Sequence, residues 1–226
     1  MHMNKDVKIK IRLFTVLTFL AVFVISYTRY EEGIKLEKIE EEQEIILKEK
    51  KDENAKIIAT NEKNKELDSK NEEALAKFYD GKYDEAIQKC DEVIDLDENN
   101  YKAYNIKGIA TGYKGNFEKG LEYIDKSLEI NPDFGYSRFN KALIYELFGK
   151  YEESLKLYDE ALEIEDYVWS YYGKASIYGR YGDLENTLRS MEKAIELDPK
   201  VKEAAKEETD FNNVRKYKEF NDLINF

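Results

Sequence analysis

Residues able to carry out chemistry are few in this chain. Cys90 is the only cysteine and His2 the only histidine among 226 residues. An intrachain disulfide, histidine-based metal sites, Ser-His-Asp triads and Cys-His dyads are therefore all excluded. Gly115 to Gly120 spells G-x-x-x-x-G, but Leu121 and Glu122 stand where a phosphate loop needs Lys and Ser or Thr. Carboxylate neighbours such as Glu152 and Glu153 fall on the outward side of a helical pattern, where solvation explains them. Cys90 sits on the apolar side of a helical pattern and reads as a structural thiol, since a nucleophile would need an electropositive neighbour. No catalytic residue, metal site or cofactor is expected. The composition carries a net charge of −12, which argues against a non-specific nucleic-acid binder. No small-molecule substrate is expected either.

What remains is a supply of aromatic and small residues at regular spacing. Four segments superimpose: Asp80 to Asn100, Lys114 to Phe134, Phe148 to Tyr167 and Tyr181 to Val201. Their glycines, Gly81, Gly115, Gly149 and Gly182, recur at 33 or 34 residues. Each glycine lets the chain turn between two helices. Two residues on, Tyr83, Phe117, Tyr151 and Leu184 offer an apolar group at the start of a second helix. Three further on, Ala86, Gly120, Ser154 and Thr187 are small enough for close helix approach. In the first helices Ala74, Gly108, Ala142 and Ala175 repeat that small slot, and Tyr104 and Tyr171 an aromatic one, where the third copy has Arg138. Pro132 and Pro199 end second helices.

This period and these slots resemble the tetratricopeptide repeat family over residues 67–201. The resemblance implies an all-α, right-handed α-solenoid of four helical hairpins, 67–100, 101–134, 135–167 and 168–201. Residues 202–226, with an apolar stripe of Phe211, Val214, Phe220, Leu223 and Ile224, are expected to form capping helices, because the last repeat of a solenoid leaves an apolar face open. A plain four-helix-pair bundle is the rival fold, and the fixed period disfavours it.

The same resemblance implies that the first helices line a concave groove. The residues it directs inward are Phe78, Lys102, Asn105, Ile109, Tyr113, Tyr136, Phe139, Leu143, Glu146, Trp169 and Tyr172. An aromatic surface of that kind implies a protein or peptide partner, with Phe139 and Trp169 as anchors. The capping helices could instead fold back over part of it. Some family members clamp a chaperone's C-terminal carboxylate with Lys and Asn four residues apart. The matching pairs here, Asn71 with Leu75, Asn105 with Ile109 and Phe139 with Leu143, do not supply that clamp. Lys107, Lys141 and Lys174 recur at one slot, where an aliphatic stem packed on a neighbouring helix accounts for them.

Ahead of the repeats lie two further segments. Residues 1–30 join a basic start, with Lys5, Lys8, Lys10 and Arg12, to an uncharged run from Leu13 to Tyr27. Fifteen helical residues span only about 22 Å. Including Ile9, Ile11 and Tyr30, with Lys10, Arg12 and Arg29 snorkelling, brings the helix near the ~30 Å of a bilayer core. The segment is a signal-anchor or a cleaved signal peptide. Lack of an A-x-A site, with Val24 and Ser26 a poor substitute, favours the anchor. The positive-inside bias places the N-terminus in the cytoplasm and the repeats outside the cell membrane, in a single-pass topology. Residues 31–66 form a Glu/Lys-rich helical linker. Ile39 and Ile46 are a heptad apart but Glu53 breaks the series, so a spacer is favoured over a coiled coil and any homo-oligomer would be weak.

The expectation is thus a membrane-tethered interaction scaffold and not an enzyme. The alternative is an architectural envelope protein that self-associates without a peptide ligand. A third class, hydrolysis by Tyr and Glu alone, would need a pair of concave carboxylates, of which only Glu146 is evident.

Overall fold

The computed structural model describes residues 5–225, leaving aside the side chains of Val7, Lys8, Ile11 and Arg12. His2 thus lies outside the described residues, as do the side chains of Lys8, Ile11 and Arg12 invoked for the anchor. The described residues form ten α-helices and one 3₁₀ turn, with no strand among them. They fall into two units, one ending at Lys63 and one beginning at Asn64.

The first unit is made by helix α1 (Lys5–Tyr79) up to its boundary at Lys63. Every described side chain of this stretch is exposed. Phe14 and Phe19, at 70% and 72%, have no protein core to enter. An apolar helix packed inside a soluble core is therefore not what residues 13–27 form. By length and composition alone, this part of α1 suffices to cross a membrane.

The second unit is a succession of antiparallel hairpins. The end of α1 packs on α2 (Tyr83–Leu96), with Leu67 and Ala74 against Cys90 and Val93. Likewise α3 (Tyr101–Tyr113) pairs with α4 (Phe117–Ile130), α5 (Gly135–Leu147) with α6 (Tyr151–Leu162), and α7 (Val168–Tyr181) with α8 (Leu184–Leu197). Each first helix ends in the same way. The turn glycines have φ of 73°, 90°, 71° and 72°, a region costly for any residue with a Cβ. The amide after each glycine bonds back to a carbonyl in the last turn, as in Lys82 N–H to Lys77 O at 2.9 Å and Asp183 N–H to Tyr178 O at 3.0 Å. This is the Schellman arrangement, which satisfies carbonyls the helix would otherwise leave bare. Asn100, Asn116 and Asp183 then cap α3, α4 and α8 by accepting a backbone N–H.

Small and large side chains are matched between helices. Cys90, Ile124, Tyr158 and Met191 occupy one slot of successive second helices, and all are fully buried. Where that slot holds the largest of them, the facing helix carries Gly173. A Cβ built there would come within 2.5 Å of Tyr158 Oη. The recurring lysines bridge successive hairpins: Lys107 pairs with Asp91, Lys141 with Asp125 at 2.7 Å, and Lys174 with Asp159. The aspartates are half exposed, so each pair contributes at most about 1 kcal/mol.

After α8 come α9 (Val201–Glu207), the 3₁₀ turn Thr209–Phe211 and α10 (Lys218–Asn225). Phe211, Val214, Phe220 and Ile224 are buried against Tyr172 and Met191, closing the last hairpin's apolar face. Leu223 is half-buried beside them.

Candidate functional site

Positions 33 or 34 residues apart on the four first helices line two cavities. One rung is Asp68, Lys102, Tyr136 and Trp169, and the next is Asn71, Asn105, Phe139 and Tyr172. The surface changes character along the solenoid, from amides and an ion pair to rings and carboxylates.

At the amide end a cavity of about 300 Å³ is lined by Asp68, Asn71, Lys102, Asn105 and Tyr136. Lys102 Nζ lies 2.7 Å from Asp68 Oδ1, so its charge is already engaged. Asn105 is buried. Its Oδ1 accepts from Ser137 Oγ at 3.0 Å and Asn140 Nδ2 at 2.9 Å, tying α3 to α5. That bonding makes it a link between hairpins rather than a groove anchor. Ile109 is buried too, packed with Ile124 and Ile144 in the core. Phe78 is half-buried, its ring set edge-on against Tyr113 with centroids 5.2 Å apart.

At the other end a cavity of about 440 Å³ gathers Tyr113, Phe139, Leu143, Glu146, Trp169 and Tyr172, six residues that the sequence directs to the groove. Trp169 and Tyr113 are 39% and 40% exposed, whereas Phe139 is only 8% exposed. Phe139 packs on Tyr136, Tyr158 and Tyr167, so it belongs to the core that shapes the groove.

Several residues that sequence reasoning missed complete the pocket. Tyr158 Oη donates to Glu146 Oε2 at 2.6 Å. Ser176 Oγ lies 2.9 Å from Glu146 Oε1 and also bonds Asp210. Arg180 Nη2 sits 2.5 Å from Asp210 Oδ1, with its guanidinium over the Tyr151 ring at 5.6 Å. A serine hydroxyl has one hydrogen, so Ser176 donates to one of the two carboxyl groups at a time. Burial raises the Glu146 pKa above its ordinary range, against the opposing hydrogen bonds from Tyr158 and Ser176. Arg180 meanwhile lies against Asp210, whereas Glu146 has no ion-pair partner among the described residues.

Asp210 and Glu208 reach the pocket because the 3₁₀ turn lies directly on α7. A Cβ at Gly179 would sit 2.7 Å from Phe211 Cδ1 and 3.0 Å from the Asp210 carbonyl oxygen. The cap thus covers the end of the hollow side and supplies one wall of the cavity. Its second carboxylate is spent on Arg180 rather than standing free beside Glu146 as a catalytic partner. Cys90, by contrast, is fully enclosed, and burial pushes its thiol up to about 12, so the inert reading fits. Among the described residues no cluster of His, Cys, Asp and Glu has the form of a metal site.

Stacked hairpins of fixed period, joined by left-handed glycines and hollow on the side of their first helices, define an α-solenoid repeat protein. Family models for the tetratricopeptide repeat match residues 101–134, 123–156 and 170–201, so the chain carries repeats of that family there. Among solved structures it is similar to TTC0263, a thermophilic tetratricopeptide protein of Thermus thermophilus. That match has 21% identity, covers 56% of this chain and 71% of that one, and has a TM-score of 0.51. It is also similar to a chain in the structure of Naa15/Naa10 bound to HypK-THB. There the identity is 13%, the coverage 59% of this chain and 20% of that one, and the TM-score 0.51. At these identities the likeness concerns the fold alone. No curated protein matches the sequence. Repeats of this family generally serve as protein–protein interaction scaffolds and are typically not enzymes.

Proposed function

We propose that the protein is a membrane-tethered interaction scaffold whose concave groove binds a protein or peptide partner. The observation that carries this reading is the pair Trp169 and Tyr113, large aromatic side chains left two-fifths exposed at the mouth of a 440 Å³ cavity. Exposing aromatic area costs free energy that a bound partner recovers, and such residues dominate binding hot spots. The tether is the apolar part of α1. Its side chains find no protein core, and its basic flank sets the N-terminus in the cytoplasm with the repeats outside.

Affinity isolation from native membranes tests the groove. Trp169→Ala, alone and with Tyr113→Ala, should release the bound partner while leaving the melting curve close to the parent's. Glu152→Ala, on the outer surface, should retain it. A partner kept by the double variant would refute the reading. Phe139 is unsuited to this purpose, because truncating so buried a ring costs about 3–5 kcal/mol of stability.

A further inference from the structure

The cavity between Trp169 and Glu146 has a more definite chemistry than an apolar groove. We propose that it receives one basic side chain, a lysine or an arginine, of the partner polypeptide. This rests on the groove reading above and narrows it.

Four features converge on a cation. The rim is aromatic, with Tyr113 and Trp169 exposed and Tyr172 beneath, its ring 5.3 Å from that of Trp169. Ring faces of this kind attract an ammonium or guanidinium group. The floor is acidic, and its carboxylates are unequally served. Asp210 has Arg180, but among the described residues neither Glu146 nor Glu208 has an ion-pair partner. Tyr172 lines the cavity and is 8% exposed, and its hydroxyl, enclosed away from solvent, has no hydrogen-bond partner among the described residues. A buried hydroxyl without a partner costs about 1–3 kcal/mol, and a phenolic oxygen accepts from N–H donors. Finally, Arg180 already shows the preferred occupant in small, a guanidinium held between a tyrosine ring and a carboxylate.

The titratable and charged groups around the cavity come from every surrounding element: Tyr113 from α3, Glu146 from α5, Tyr158 from α6, Tyr172 and Arg180 from α7, and Glu208 and Asp210 from the cap. Arg180 opposes entry but is engaged at the rim. An arriving ammonium or guanidinium group donates to Glu146 and Glu208, the two carboxyl groups of the cavity without an ion pair. The chain's net charge of −12 also draws basic segments toward it from a distance.

Trp169 is the only tryptophan, so its fluorescence reports occupancy directly. The full chain in detergent micelles is titrated with blocked peptides of one apolar frame. Their central residue is lysine, arginine, Nε-acetyl-lysine or norleucine. The lysine or arginine peptide should bind at least about tenfold more tightly than the acetylated and norleucine forms, as expected for charge-assisted hydrogen bonds. That preference should vanish in Glu146→Gln and weaken in Glu208→Gln, with the melting curves checking that both variants fold. Equal binding of norleucine, no response to any peptide, or a preference that survives Glu146→Gln would each overturn the inference. If the preference is absent while Trp169→Ala still releases the native partner, the cation is wrong and the groove reading stands. If neither holds, both fall.

Discussion

Gly173 has no side chain because the ring of Tyr158 fills the space where one would go, and that ring in turn holds Glu146 through its hydroxyl. Core packing and pocket chemistry therefore meet at one contact. Gly173→Ala forces a fully buried ring to move, and overpacking of this kind costs about 1–3 kcal/mol. Chemical denaturation should show the loss as a lower midpoint with an unchanged slope. Glu146 has a different signature. Its raised pKa means that the native state holds more protons than the unfolded chain between the ordinary carboxyl range and the shifted value. Stability therefore falls as pH rises through that window. An amide mimics the protonated acid toward Ser176 and Tyr158. Glu146→Gln should accordingly melt close to the parent near about pH 4 and above it near about pH 7. A gain that is the same at both values would show that the proton is held elsewhere.

Among the elements, the turns and the alternation of small and large slots are legible in the sequence because each is written four times at one spacing. Gly81, Gly115, Gly149 and Gly182 identify themselves by recurrence, and their positive φ confirms the physical reason. The inter-hairpin ion pairs are half legible. Lys107, Lys141 and Lys174 stand out, but Asp91, Asp125 and Asp159 repeat at nearly the same period and are lost among many acids. Register directs Asn105 and Ile109 to the groove, yet register fixes the side of a helix and not how far a neighbour overlaps it. Glu208 and Asp210 carry no sequence signal, since they lie beyond the last repeat and have no counterpart in the others. Their role rests on the cap. A chain ending at Glu207 would lose Phe211, Val214, Phe220 and Ile224 from the cluster around Tyr172 and Met191. It should aggregate or lose cooperative melting of its last hairpin. A soluble, fully cooperative truncation would show the cap to be dispensable.

At the scale of the whole molecule, three kinds of sequence do three kinds of physical work. An apolar stretch has the length and composition to cross a membrane, a charged helix faces water, and a periodic series of hairpins builds a continuous spine with one hollow side. The spine explains the small slots, the turn glycines and the terminal cap without reference to function. The exposed aromatics of the hollow side are what it leaves unexplained. The most direct measurement is photo-crosslinking in intact cells from single positions replaced by a photoreactive residue. Tyr113 and Trp169 should give the same discrete adduct, suppressed by adding excess unlabelled repeat domain, and Glu152 on the outside should give none. Adducts formed from Glu152 but not from the two aromatic positions would place the working surface on the other side of the solenoid.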